Sequence, residues 1–303
     1  MTQAALQYRA IGPTTALGDM LHHPFITHAL LAGSAVAALC GLVGYFLVLR
    51  GQVFAGDALG HVAYTGAMGA LAAGLDPRAG LFGATIIAGL ALGAGSSRGA
   101  DDVAIGSFFT WMLGLGVLFL TYYTTHGSGR NGTANVNVLF GSIFGISDKA
   151  TVIAVSVAAG VGVVLIVMAR PLLFATVDPA VAQAAGVPAR WLGAVFLAVV
   201  GATVAEATQI VGALIVLGLL AAPAAAAARL TAQPWLAFWL SAVLATAAIW
   251  VGVTLAYLIP AAPASFTIMI TAAAIYLLAA IVGGKERSDA RATGTEAAAS
   301  TNR

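Results

Sequence analysis

Charge is what this sequence has least of. Only 13 basic and 11 acidic residues occur in 303, or 8%, and the formal net charge is +2. Water-soluble domains carry about 25% charged residues, so a soluble enzyme and a disordered chain are both excluded. A net charge this small leaves no electrostatic footprint for nucleic acid, which is therefore not a partner. Cysteine is equally scarce. The single Cys40 lies inside an apolar run, which excludes a disulfide framework and a thiolate metal cluster. Any metal must be met by oxygen or imidazole. A phosphate-binding Gly-x-x-x-x-Gly-Lys-Ser/Thr loop is missing too. The only Gly-Lys pair, Gly284-Lys285, is followed by Glu286, so the chain does not bind ATP by itself. No His-Glu-x-x-His motif is present, which removes the zinc-protease signature.

What the sequence has in abundance is apolar side chains, 60% of the total. A helix needs about 20 apolar residues to cross the hydrocarbon core. Runs of about that length fall at 27–49, 52–74, 80–96, 103–125, 150–169, 190–205, 208–228, 234–257 and 264–283. The runs are continuous and Ala-rich, whereas a barrel would show alternating segments of about ten residues. The expected fold is therefore an all-α integral membrane bundle of eight or nine transmembrane helices in contact with lipid. The sixth run is short and the second contains Asp57 and His61, so eight crossings plus an embedded fragment also fit. Residues 1–26 lack the pattern of a cleaved signal and read as a soluble lead-in. Residues 27–283 form the transmembrane domain, and the polar, aperiodic 284–303 reads as a disordered cytoplasmic tail.

Lys and Arg are retained on the cytoplasmic side. Nine spans with the amino terminus outside put Arg50, Arg98, Arg170, Arg190, Arg229, Lys285, Arg287, Arg291 and Arg303 inside, and leave Arg9, Arg78, Arg130 and Lys149 outside. The carboxyl terminus is then cytoplasmic. Glycine is plentiful, 36 residues, and recurs at small-xxx-small spacing in Gly56/Gly60, Gly89/Gly93 and Gly141/Gly145, which lets helix backbones approach closely in lipid.

Ionisable side chains within a span cost free energy and are functional candidates by default. Three occur, Asp57, His61 and Glu206. Asp57 and His61, four apart on a helix, project from one face with Cβ atoms about 6 Å apart, so a carboxylate oxygen and an imidazole nitrogen can reach one ion. That donor set suits Zn, Mn and Fe(II) better than Cu(I), and further ligands must come from other helices. The competing reading makes Asp57 a helix cap after Gly56 and His61 a hydrogen-bonded core histidine. Glu206 either marks the outer end of the sixth helix or lines the path as a further ligand. His22, His23, His28 and His126 fall on one expected face, where they could collect a divalent cation or simply be solvated.

Between the fifth and sixth spans, Val177 to Pro188 reads as a short, punctuated helix. Asp178 is a good N-cap, Pro179 fits the first helical position, the intervening alanines favour helix, and Gly186 gives the stop. A two-turn helix in a cytoplasmic loop is either a docking element for a partner or a plain connector.

Leu47-Val48-Leu49-Arg50 followed by Gly56-Asp57-Ala58-Leu59-Gly60-His61 resembles the opening pattern of the membrane permeases of the zinc, manganese and iron ABC importers. Asp102-Val103-Ala104-Ile105-Gly106, Leu139-Phe140-Gly141, Asp178 to Gly186, Val211-Gly212-Ala213-Leu214 and Leu219-Leu220-Ala221-Ala222-Pro223-Ala224 are similar to later blocks of that family in the same order. The resemblance covers residues 27–283. It implies that Asp57 and His61 lie on the metal path and that Asp178, Pro179, Ala182 and Gly186 belong to a coupling helix received by a separate ATP-binding subunit. It also implies a homodimeric or pseudo-dimeric pair of permeases, two ATP-binding subunits and an extracytoplasmic metal-binding protein, with the divalent ion as cargo and no permanently bound cofactor. The alternative is a stand-alone proton-coupled cation transporter, in which Asp57, His61 and Glu206 form a proton relay. No clear inverted repeat supports it.

Overall fold

A segment in hydrocarbon must satisfy its own backbone N–H and C=O groups, and a long Ala-, Leu- and Val-rich run does so within itself only as a helix. The computed structural model describes residues 24–95, 102–126, 141, 143–186, 188–259 and 261–301. Among the described residues are nine long helices. They are α1 (Pro24–Leu49), α2 (Val53–Ala72), α3 (Pro77–Gly95), α4 (Asp102–His126), α5 (Asp148–Val177), α7 (Ala189–Val211), α8 (Ala213–Leu230), α9 (Pro234–Leu258) and α10 (Ala264–Thr301). A 3-10 turn at Ile143–Gly145 precedes α5, and the short α6 (Pro179–Ala184) joins α5 to α7. The long helices match the nine expected runs one for one. Seven are long and apolar enough to cross a membrane. The other two are α2, diluted by Asp57 and His61, and α8, 18 residues long and apolar but for Arg229. The protein is an all-α, multi-pass membrane protein.

Helix ends follow local chemistry. Asp76 accepts from the Arg78 N–H at 2.8 Å ahead of α3. Ser147 caps α5 by accepting from the Ala150 N–H at 3.4 Å, and Pro234 occupies the first turn of α9, where its missing N–H costs nothing. Three boundaries differ from expectation. First, α1 starts at Pro24, ahead of the expected 27. Second, the sixth span runs to Val211, where it was expected to end at 205 with Glu206 at its outer end. Nothing in Glu206-Ala207-Thr208-Gln209 stops a helix. The break comes at Gly212, whose φ of 91° lies where side-chain-bearing residues rarely go. Third, α10 continues to Thr301 through the segment expected to be a disordered tail, consistent with the high helix propensity of its alanines. Of the lead-in, residues 1–23 lie outside the described residues.

The bundle is centred on α1 and α7, whose spans are 72% and 78% buried, against 11% for α4, which packs mainly on α2. With no hydrophobic drive between helices in lipid, close backbone approach supplies the packing. The Gly89/Gly93 pair shows how. A Cβ on Gly89 would collide with the Leu197 carbonyl oxygen, and one on Gly93 with the Ala194 Cα, so α3 and α7 touch along a face that any side chain would separate. At one end of the bundle Phe46 of α1 packs edge-on against Phe196 of α7 and tilted against Phe238 of α9, with centroids 6.1 and 5.6 Å away. At the same end Arg50 reaches Thr176 at the end of α5, and Arg190 Nε donates to the Ala94 carbonyl at 3.2 Å. The carboxyl ends of α1, α3 and α5 thus gather beside α6.

Candidate functional site

Helix α2 begins at Val53 with Gln52 as its N-cap. Asp57 is therefore the fifth residue of the helix and not its cap, which removes the structural alternative considered for it. Asp57 and His61 sit one turn apart and are both half-buried. Phe109 of α4 presents its ring to the imidazole nearly at right angles, 88°, with centroids 4.6 Å apart. Among the described residues neither the Asp57 carboxylate nor the His61 imidazole is held by a hydrogen bond or an ion pair. A carboxylate and an imidazole left unpaired inside a membrane helix are available to a cation.

The next turn fixes the wall of the site. Thr65 is 4% exposed, and its hydroxyl lies 3.1 Å from the His61 carbonyl and 2.8 Å from the Met112 carbonyl of α4. Residues 57, 61 and 65 form an i, i+4, i+8 series on α2, with the carboxylate and imidazole first and the tie to α4 last. Asp57 and His61 are the residues of this series that stand out in the sequence as ionisable groups. The signal for Thr65, a hydroxyl continuing the same spacing, was present.

On the other side of α2 lies the break between α7 and α8. A Cβ on Gly60 would be 3.7 Å from the Ala213 carbonyl oxygen, so the start of α8 sits beside the residue preceding His61. Gly141, with φ 70°, backs onto the Val211 carbonyl group in the same region. Discontinuous helices inside a bundle are where transporters build ion and substrate sites. Gly212 and its neighbours stood out in the sequence as a family block, but the break itself showed only in the structure.

Glu206, one and a half turns before that break, is 2% exposed, and its Oε2 has no hydrogen-bond partner among the described residues. The Thr208 hydroxyl is equally unpartnered. Glu206 does not complete a ligand set with Asp57 and His61, because no group of three His, Cys, Asp or Glu able to hold a metal occurs among the described residues. Of the four histidines considered for a cation-collecting face or as solvated groups, two, His28 and His126, are among the described residues. His28 in α1 pairs with Asp148 at 2.9 Å, His22 and His23 lie outside the described residues, and His126 ends α4.

The connector carries the punctuation its sequence suggests. The Asp178 carboxylate accepts from the Val181 N–H at 3.0 Å, Pro179 opens α6, and Gly186 follows it with φ 80°. Ala182 is fully buried while Val181 is half exposed. One side of α6 therefore rests on the bundle and the other is open.

A multi-pass helical bundle with an unpaired Asp and His on an inner helix, a helix break beside them and a capped helix at one end has the layout of a permease. The profile of the ABC 3 transport family matches residues 22–283, and the chain belongs to that family. It is similar to the manganese transport system membrane protein MntC of Halalkalibacterium halodurans, 31% identical over 215 residues, or 70% of this chain and 72% of the relative. The "Probable iron transport system membrane protein" of Haemophilus influenzae is 27% identical over 84% of this chain and 93% of its own. PsaBC from Streptococcus pneumoniae, solved in complex with Fab, shares the fold with a TM-score of 0.76 at 24% identity, over 88% of this chain and 94% of that chain.

Proposed function

We propose that this chain is the membrane subunit of an ATP-driven importer of divalent transition-metal ions, with manganese or iron as cargo and zinc within reach of the same donors. The observation that carries the reading is the Asp57–His61 pair, one turn apart and unpaired, on a helix inside the bundle of an ABC 3 family member. Oxygen plus imidazole suits all three metals, and the relatives named for manganese and iron transport support the first two. Two donors are fewer than such an ion takes. A homodimeric arrangement, in which a second permease faces this one across the path, supplies further donors in this reading. Glu206 is the third ionisable group of the path.

The mechanism follows from the elements. An extracytoplasmic metal-binding protein delivers the ion to the end of the bundle opposite α6, and Asp57 and His61 hold it while that end is open. Arg50 and Arg190 lie at the α6 end, which supports a cytoplasmic location for that end. A separate ATP-binding subunit grips the open side of α6. ATP binding and hydrolysis move α6, the helices continuous with it change tilt, and access passes to the cytoplasmic end.

The test is reconstitution of the permease with its ATP-binding subunit in liposomes. ATP-dependent uptake of Mn2+ or Fe2+, insensitive to an imposed pH gradient, is the expected result. Uptake that needs a proton gradient and persists without the ATP-binding subunit would overturn the reading in favour of secondary transport.

A further inference from the structure

Arg50 occupies a position that neither the ion site nor the docking surface accounts for. It lies in the Arg50-Gly51-Gln52 turn between α1 and α2, where Gly51 takes a φ of 65°. Its side chain is half-buried, and burial pulls its pKa below the ordinary guanidinium value, although arginine stays charged in any protein setting. Nε donates to Gln52 Oε1 at 3.0 Å, and Nη1 donates to the Thr176 hydroxyl at 3.4 Å. The guanidinium carbon stands 5.6 Å from the Phe196 ring centroid, within cation–π range. A Cβ on Gly193 would lie 3.4 Å from Nη2, so the α7 backbone runs directly past the guanidinium. Among the described residues these partners are all neutral. The arginine is therefore held by geometry and not by a counter-charge.

The partners share one property, that they flank α6. Thr176 is two residues before Asp178, the N-cap of α6, and Gly193 and Phe196 lie in the first two turns of α7, the helix that leaves α6. Gln52 is the N-cap of α2, five residues before Asp57. One rigid fork thus touches the element entering α6, the element leaving it and the start of the helix that carries Asp57 and His61.

We propose that Arg50 is the positioning residue that couples α6 to the ion site. Displacement of α6 carries Thr176 and the first turns of α7 with it, and the guanidinium transmits that displacement to Gln52 and so to the first turn of α2. A contiguous chain of contacts between two sites is the physical basis for such coupling. Arginine suits the role because its planar fork engages several partners in fixed directions, whereas lysine offers a single point of charge. The inference rests on the reading of α6 as the helix gripped by the ATP-binding subunit.

The test uses the assembled permease and ATP-binding subunit in liposomes, with ATP hydrolysis and Mn2+ accumulation measured on the same sample. Arg50→Gln and Arg50→Lys are expected to assemble and hydrolyse ATP at the wild-type rate, while Mn2+ transported per ATP falls about tenfold, in the range of typical inter-site coupling. Thr176→Val, an isosteric change, is expected to lower the ratio in the same direction, and the Arg50→Gln/Thr176→Val double variant to be no worse than Arg50→Gln alone. A wild-type ratio in both Arg50 variants would overturn the proposal. So would a parallel loss of assembly, hydrolysis and uptake in the Arg50 variants together with a wild-type ratio in Thr176→Val, since that pattern marks a purely structural role. Failure of the underlying reading looks different: wild-type protein would show no ATP-dependent Mn2+ uptake at all.

Discussion

The Thr65 hydroxyl stands 2.8 Å from the Met112 carbonyl, and this contact joins α2 to α4 one turn beyond His61. A hydroxyl has one proton to give, so Thr65 divides it between Met112 and the His61 carbonyl at 3.1 Å. Because α4 is the least buried of the seven apolar spans, this tie weighs heavily on where Phe109, and with it the His61 ring, comes to rest.

Replacing Thr65 by Val keeps the shape and removes the proton. Interhelical hydrogen bonds in membrane proteins contribute about 0.6 kcal/mol on average and at most about 1.7, so a small loss of thermal stability in detergent is expected. Metal affinity should fall along with it, because the aromatic wall beside His61 loosens. Titration with Mn2+, read against the thermal shift, checks this. Unchanged affinity in a destabilised variant would confine Thr65 to packing.

Asp57→Asn retains size and hydrogen bonding but loses the charge that attracts a divalent cation, and His61→Gln loses the imidazole donor. Each is expected to reduce Mn2+ uptake by more than about tenfold at wild-type expression and assembly. Groups that act on one ion are non-additive, so the double variant should be little worse than either single one. Fully additive losses would mean the two residues serve separate steps.

Gly186 has a φ of 80° and nothing within 4 Å of where a Cβ would sit. A β-branched residue there fits in space but not in backbone conformation, at a cost of roughly 1–2 kcal/mol. Gly186→Val should therefore distort the end of α6 and weaken co-purification of the ATP-binding subunit, while Mn2+ binding by the permease is spared. Normal co-purification and transport would remove α6 from the interface.

In the proposed orientation, with the α6 end in the cytoplasm and all nine long helices crossing, the carboxyl terminus lies inside. A reporter fused after Arg303 should be active only in its cytoplasmic form. Activity on the outside would overturn both the orientation and the number of helices that span.

The order and approximate extent of the long helices were legible in the sequence, because hydrocarbon imposes one local rule on every residue and leaves long apolar runs no structure but helix. The shared face of Asp57 and His61 on α2 was legible for a similar reason, since a separation of four on a helix fixes it without reference to the rest of the fold. Asp178 and Gly186 likewise announce the bounds of α6 through their own side chain and backbone preferences. Tertiary structure decided what depends on neighbours distant in the chain. Glu206 moved from a helix end to a buried position inside α7, because the stop lies at Gly212 and no residue near Glu206 supplies one. Arg50, read from sequence as one more basic loop residue, meets Thr176, Gly193 and Phe196 only because α1, α5 and α7 converge beside α6. The contact of Thr65 with Met112, 47 residues away, and the approach of Ala213 to Gly60 are products of helix packing, which in lipid is set by the fit of small residues across interfaces and leaves no mark in any single stretch of sequence.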